Sequence, residues 1–211
     1  MIVLDGKNLF EKIKKQLSLE VNELILKNHR PPHLVAILVG DNAASLTYVN
    51  AKIKACQEIK YKSSVLRFPS NITERELLSE IEQLNHSNHV DGIIVQLPLP
   101  SHIDEHNVTH SINYKKDVDG FHPINVGRMT LGLPCFFPAT PFGIISLLKE
   151  YKIKTKGKHC LIIGRSNIVG TPMSILLSRN SSLGNATVTL AHSHTKNLTF
   201  LYSQADIIIV A

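Results

Sequence analysis

The run His33-Leu34-Val35-Ala36-Ile37-Leu38-Val39-Gly40 constrains the fold more than any other stretch of the chain. It lacks apolar/polar alternation, so a strand built from it has to be covered on both faces, as strands of helix-flanked parallel sheets are. Asp91-Gly92-Ile93-Ile94-Val95-Gln96 has the same character. Further on, apolar runs at Lys158 to Ile163, Ala186 to His192 and Asp206 to Val210 alternate with helical stretches at Gly170 to Arg179 and Leu198 to Ser203. That β-α-β-α-β order opens a doubly wound sheet. The expected class is α/β, and 211 residues suffice for two domains. Phe137-Pro138-Ala139-Thr140-Pro141 suggests the boundary, with Thr140 as N-cap and Pro141 at the first position of a helix over Phe142 to Tyr151. The domains are thus expected at 1–140 and 141–211.

In the first of them, residues 7–28 carry Leu9, Phe10, Ile13, Leu17, Val21, Leu24 and Ile25 at helical spacing, an amphipathic helix. A strand follows near Ser63 to Phe68. Thr73 with Glu76 three residues on forms a capping box for a helix reaching about Asn85. A short helix is expected near Glu105 to Ile112. No apolar run approaches the ~18 residues of a membrane span, and Asp5 interrupts the apolar start where a signal peptide would continue. The expectation is a cytoplasmic protein with no membrane partner. Cys56, Cys135 and Cys160 are an odd, widely spaced set, which argues against disulfides and zinc and reads as buried thiols. The net charge of +6 comes from scattered lysines without a dense basic tract, so small anions rather than nucleic acid are the expected partners.

Two constellations carry chemistry. Tyr48 and Lys52 fall one helical turn apart, about 6 Å along the axis, which sets an aromatic plane and an ammonium over one patch of space. A lysine partly withdrawn from water is suited to proton transfer. Gln96 is delivered at the end of an apolar strand, where Leu97-Pro98-Leu99-Pro100 stiffens the loop at the ligand-bearing edge of a parallel sheet. Lys115-Lys116-Asp117-Val118-Asp119-Gly120-Phe121 has the composition of a ligand loop. The second constellation is Gly164-Arg165-Ser166-Asn167-Ile168-Val169-Gly170, a glycine turn between strand and helix that suits a phosphate. The following strand ends in His192-Ser193-His194-Thr195-Lys196, without an acid for a ribose 2′-hydroxyl. Arg165, Ser193 and Lys196 instead suit a 2′-phosphate, so NADP is favoured over NAD. Tyr48-x-x-x-Lys52 also matches short-chain dehydrogenases, but there the pair follows the glycine turn, and here it precedes it. His102 and His106 stand at i and i+4 with no third ligand, so no metal is expected.

Taken together, Tyr48-Val49-Asn50-Ala51-Lys52, Val95-Gln96-Leu97-Pro98-Leu99-Pro100, Lys116-Asp117-Val118-Asp119-Gly120-Phe121, Pro138-Ala139-Thr140-Pro141 and Gly164 to Pro172 resemble the bifunctional methylenetetrahydrofolate dehydrogenase/cyclohydrolase family, in that family's order. The resemblance implies an N-terminal α/β folate and catalytic domain followed by a Rossmann-like NADP-binding domain. It implies a homodimer serving one-carbon metabolism and purine biosynthesis. Carried over by position, Tyr48 stacks on the aminobenzoyl group and Asp119 hydrogen-bonds the pterin. Lys52 transfers protons while Gln96 holds it, Val95 and Leu97 line the folate, and Gly164, Arg165, Ser166 and Ser193 hold NADP. Family members continue beyond the position of Ala211 and have a shorter turn at 179–184. A C-terminally truncated Rossmann-like domain is therefore expected. The alternatives are a non-catalytic nucleotide-binding or dimerising form, or another two-domain NADP-dependent dehydrogenase of the shikimate or amino-acid type.

Overall fold

The run at 33–40 forms a strand at the centre of its sheet. In the computed structural model, which describes residues 1–211, the first compact unit covers Gly6–Val118. It contains α1 (Gly6–Leu26), β1 (His33–Val39), α2 (Ala43–Glu58), β2 (Lys62–Phe68), α3 (Glu74–His86), β3 (Gly92–Val95) and α4 (Glu105–Ser111). The three strands are parallel in the order β2-β1-β3. Alternate residues of β1 serve two cores, as a strand apolar on both faces requires. Val35, Ile37 and Val39 join Leu77 and Ile81 of α3 and Val108 of α4, whereas Ala36 and Leu38 meet Val49 of α2. The Thr73 box closes α3 as expected: Thr73 Oγ1 accepts from the Glu76 amide at 3.3 Å and Glu76 Oε2 from the Thr73 amide at 2.9 Å.

The second unit comprises Asp119–Ala211 with Met1–Asp5. It holds α5 (Pro123–Thr130), α6 (Ala139–Glu150), β4 (His159–Ile163), α7 (Gly170–Ser178), β5 (Thr187–Ala191), α8 (Leu198–Gln204) and β6 (Ile207–Val210). Its strands are parallel in the order β5-β4-β6. Cys160 and Ile162 of β4 pack with Met173 and Leu177 of α7 and Leu148 of α6.

Several expectations are corrected by packing. Residues 119–140 group with the second unit rather than the first: α5 packs on α7, and a Cβ at Gly120 would meet the Phe137 carbonyl carbon at 2.8 Å. Helix α5 was not anticipated; Pro123 opens it behind His122, whose ring accepts from the Ile124 amide at 3.1 Å. Helix α6 starts at Ala139 with Pro138 as N-cap and no side-chain cap, so Thr140 lies inside it. Of the α1 stripe only Leu9 and Val21 are buried, and Phe10 is 49% exposed. Helix α1 is also tied to α2 by a polar contact, Lys14 Nζ to Glu58 Oε2 at 2.7 Å. Cys56 and Cys160 are buried, but Cys135 only half so. No helix is long and apolar enough to cross a membrane.

Each of the two sheets carries a polar fastening of the same kind at the N-terminal end of its own central strand. His33 Nδ1 faces the His89 carbonyl oxygen at 2.8 Å and its Nε2 faces Ser64 Oγ at 2.9 Å. His159 repeats this with the Gln204 carbonyl oxygen at 2.8 Å and Thr189 Oγ1 at 2.8 Å. A carbonyl oxygen only accepts, so each Nδ1 carries the proton. Asp91 accepts from the His33 amide at 2.8 Å and from both Arg30 Nη atoms at 2.5 and 2.9 Å. Asp206 likewise accepts from the His159 amide at 2.9 Å and Lys158 Nζ at 2.8 Å. The hydrogen bond from Arg30 holds the Asp91 carboxyl below its ordinary range, and that from Lys158 does so for Asp206.

Candidate functional site

Helix α2 begins directly beyond β1 because Asn42 caps it, its side chain accepting from the Ser45 amide at 3.1 Å. Ser45, Val49 and Cys56 are the buried positions of the helix. That face fixes the rotation of α2 and turns Tyr48 outward, 64% exposed, with Lys52 half-buried one turn on. Gln96 follows β3, and its amide donates to the Ile37 carbonyl at 2.9 Å, which ties the strand end to β1. Its side chain is clamped at both ends: Nε2 donates to the Leu97 carbonyl oxygen at 2.8 Å, and Oε1 accepts from Lys52 Nζ at 3.4 Å. Tyr48, Lys52 and Gln96 are therefore brought to one place, beyond the carboxyl ends of parallel strands. An ammonium has three N–H donors, so with one on Gln96 two remain for a ligand.

The other expected folate residues divide. Leu97 is half-buried behind Gln96, and its peptide to Pro98 is cis. Val95 is 3% exposed in the core cluster with Ile37 and Val39, so its side chain is committed to packing. Asp119 is half-buried and belongs to the second unit. Its neighbours in the loop are structural. Lys116 Nζ donates to the Leu84 and Ser87 carbonyls at 2.8 and 2.7 Å, closing the C-terminal end of α3, and burial lowers its pKa. Asp117 is buried beside β3, bridged to Ile93.

In the second unit, β4 ends at Ile163 and is followed by Gly164, whose φ of +119° suits glycine. Ser166 shapes the turn: its Oγ accepts from the Val169 amide at 3.1 Å and its carbonyl from the Thr171 amide at 3.0 Å. A Cβ at Gly170 would fall on the Gly164 carbonyl oxygen, so only glycine lets the first turn of α7 seat this closely on the loop. Arg165 and Ser193 are exposed. Each stands two residues past a paired position, Ile163 and Ala191, on strands about 4.8 Å apart. An exposed guanidinium and an exposed hydroxyl that each follow the end of a neighbouring strand are residues that could hold a 2′-phosphate. The 192–195 turn that presents Ser193 is held by the His192 amide donating to Thr195 Oγ1 at 2.8 Å. Of the other histidines, His102 Nε2 is bonded to the Ile72 carbonyl oxygen at 2.9 Å, a packing role.

Comparison with known proteins matches both units. Residues 4–119 match the family described as tetrahydrofolate dehydrogenase/cyclohydrolase, catalytic domain, and residues 138–211 match its NAD(P)-binding domain. The chain is 54% identical over all 211 residues to a bifunctional protein FolD of Cytophaga hutchinsonii, covering 73% of that protein. It resembles the crystal structure of a bifunctional FolD methylenetetrahydrofolate dehydrogenase/cyclohydrolase from Campylobacter jejuni, with a TM-score of 0.96 and 51% identity over 100% of this chain and 73% of that one. The Trypanosoma brucei enzyme, solved with NADP cofactor and an inhibitor, aligns with a TM-score of 0.93 at 32% identity over 100% of this chain and 71% of that one. This chain belongs to the tetrahydrofolate dehydrogenase/cyclohydrolase family.

Proposed function

We propose that the chain oxidises 5,10-methylenetetrahydrofolate to 5,10-methenyltetrahydrofolate with NADP and hydrolyses the product to 10-formyltetrahydrofolate. The observation that carries this reading is the Lys52 ammonium held on Gln96 Oε1 at the carboxyl edge of the first sheet. In the hydrolysis, water adds to the methenyl carbon, the bond from that carbon to N5 breaks, and N5 takes up a proton. Lys52 relays protons between the attacking water and the departing nitrogen and opposes the charge that develops. Gln96 fixes Lys52 where the ring opens. Tyr48 offers its exposed ring to the aminobenzoyl group, Asp119 orients the pterin, and Leu97 lines the folate. Val95 lends its backbone to that lining.

NADP, held by Gly164, Arg165, Ser166 and Ser193, supplies the hydride acceptor. The chain's own part in that step is positioning: the turn receives the pyrophosphate, and Arg165 with Ser193 takes the 2′-phosphate. The protein acts as a homodimer in the cytoplasm, supplying one-carbon units for purine biosynthesis. Incubating the chain with NADP and either methylenetetrahydrofolate or small hydroxy acids such as shikimate tests the reading. NADPH formation with the folate alone is expected; formation only with the hydroxy acid defeats it.

A further inference from the structure

Beyond the C-terminal end of α7 a cavity of about 220 Å³ opens between α6 and the 179–184 stretch. Helix α7 has nine residues, so the cavity lies about 13 Å along the helix from the Gly170 end. Phe137, Phe142 and Leu183 give it an apolar wall, and Lys149 and Arg179 are its charged residues, with no carboxylate lining it. The Arg179 guanidinium lies 5.1 Å from the centre of the Phe137 ring. Its Nε is buried and has no hydrogen-bond partner. A buried donor without an acceptor is unfavourable, so Arg179 is held here by its packing on Phe137 and the 179–184 stretch and not by a partner for this atom.

The wall behind Arg179 is built, not slack. The Arg179 carbonyl accepts from the Asn185 amide at 3.0 Å, Asn185 Nδ2 donates to the Ser181 carbonyl at 2.7 Å, and a Cβ at Gly184 would collide with the Arg179 carbonyl oxygen. Two cations facing no acid, beside aromatic rings, complement an anion with a flat apolar body. The volume is below the roughly 300 Å³ at which drug-sized pockets begin, which limits the body to about one ring.

We infer that this cavity binds a small aromatic carboxylate, its anionic end between Arg179 and Lys149 and its ring against Phe137 and Phe142. The site is independent of the folate reading and of the Gly164–Gly170 turn. The test follows the Arg179 Nε–H cross-peak of the full ¹⁵N-labelled chain during titration with sodium benzoate, and with neutral benzamide at matched ionic strength. A saturable shift with benzoate, at least about tenfold weaker with benzamide (about 1.4 kcal/mol), is expected. Backbone amides around 181–183 are followed in the variants. Arg179→Gln is expected to abolish the titration. Lys149→Glu, at an exposed position, is expected to weaken it severalfold, and it carries the test if Arg179→Gln does not fold. Non-saturable shifts, equal response to benzamide, or undiminished binding by Lys149→Glu overturns the assignment.

Discussion

Lys52→Ala is expected to separate the two steps of the proposed reaction from nucleotide binding. In the folded chain the substitution removes one hydrogen bond, 3.4 Å long, beyond the usual range for N–H···O. Its contribution to stability is therefore under about 1 kcal/mol, and Lys52 is only half-buried. Loss of a positioned proton-transfer group costs about 10²- to 10⁴-fold in rate, or roughly 3–5 kcal/mol at 1.36 kcal/mol per tenfold. The catalytic loss thus exceeds anything a weakened fold explains. Gln96→Ala leaves the ammonium in place and deletes its anchor, so it is expected to cost at most about 5-fold, the weight of a hydrogen bond worth under about 1 kcal/mol. Decay of methenyltetrahydrofolate absorbance measures the hydrolysis, and calorimetric titration measures NADP affinity, which depends on the Gly164–Gly170 turn and stays unchanged. A folded Lys52→Ala that hydrolyses within about threefold of the parent, or that loses NADP affinity by the same factor as activity, refutes the role. So does a Gln96→Ala as damaged as Lys52→Ala.

Gly170→Ala sets a methyl on the Gly164 carbonyl oxygen, so NADP affinity is expected to fall by about tenfold or more (1.4 kcal/mol), read by the same calorimetry; unchanged affinity refutes the turn as the phosphate site. Asp91 makes stability depend on acid. Its folded pKa lies below the ordinary 3.8, chiefly through the Arg30 hydrogen bond, so its contribution is fully present above 3.8 and is lost as pH falls through the folded value. Urea unfolding across pH 2 to 7 should show a steeper acid loss for the parent than for Asp91→Asn, and parallel curves would exclude the linkage.

Legibility followed sequence distance. The β1 run and the Thr73–Glu76 box are written in neighbouring residues, and both formed where the pattern put them. Tyr48 and Lys52 are one turn apart, and their shared face follows from helix geometry. The encounter of Lys52 with Gln96, 44 residues later, was legible only through the family resemblance that pairs them; the strand pattern by itself placed Gln96 at the end of a parallel strand and no more. What stayed hidden depended on tertiary packing. Helix α5 is eight residues with Gly127 inside, too short to stand out. The burial of Val95 reflects cover on both faces of β3, which turns a motif residue into core. The stripe of α1 shows the reverse, since a periodic pattern says which face is apolar but not what lies against it. Arg179 reads as an ordinary helix-end cation, and only the fold buries its Nε and sets its guanidinium over Phe137.

The fastening beneath β1 and β4 settles which end of each sheet is open to change. His33 with Asp91, and His159 with Asp206, hold three chain segments apiece in register from below. Gln96, Gly164 and Ser193 all come after a strand has ended, and none of them takes part in either fastening. Side-chain changes at Gln96 or Ser193 therefore alter what the protein grips without touching either fastening, whereas a one-residue deletion in Arg30–His33 or Gln204–Asp206 displaces the groups that hold a sheet. The chain can be retooled from one end only.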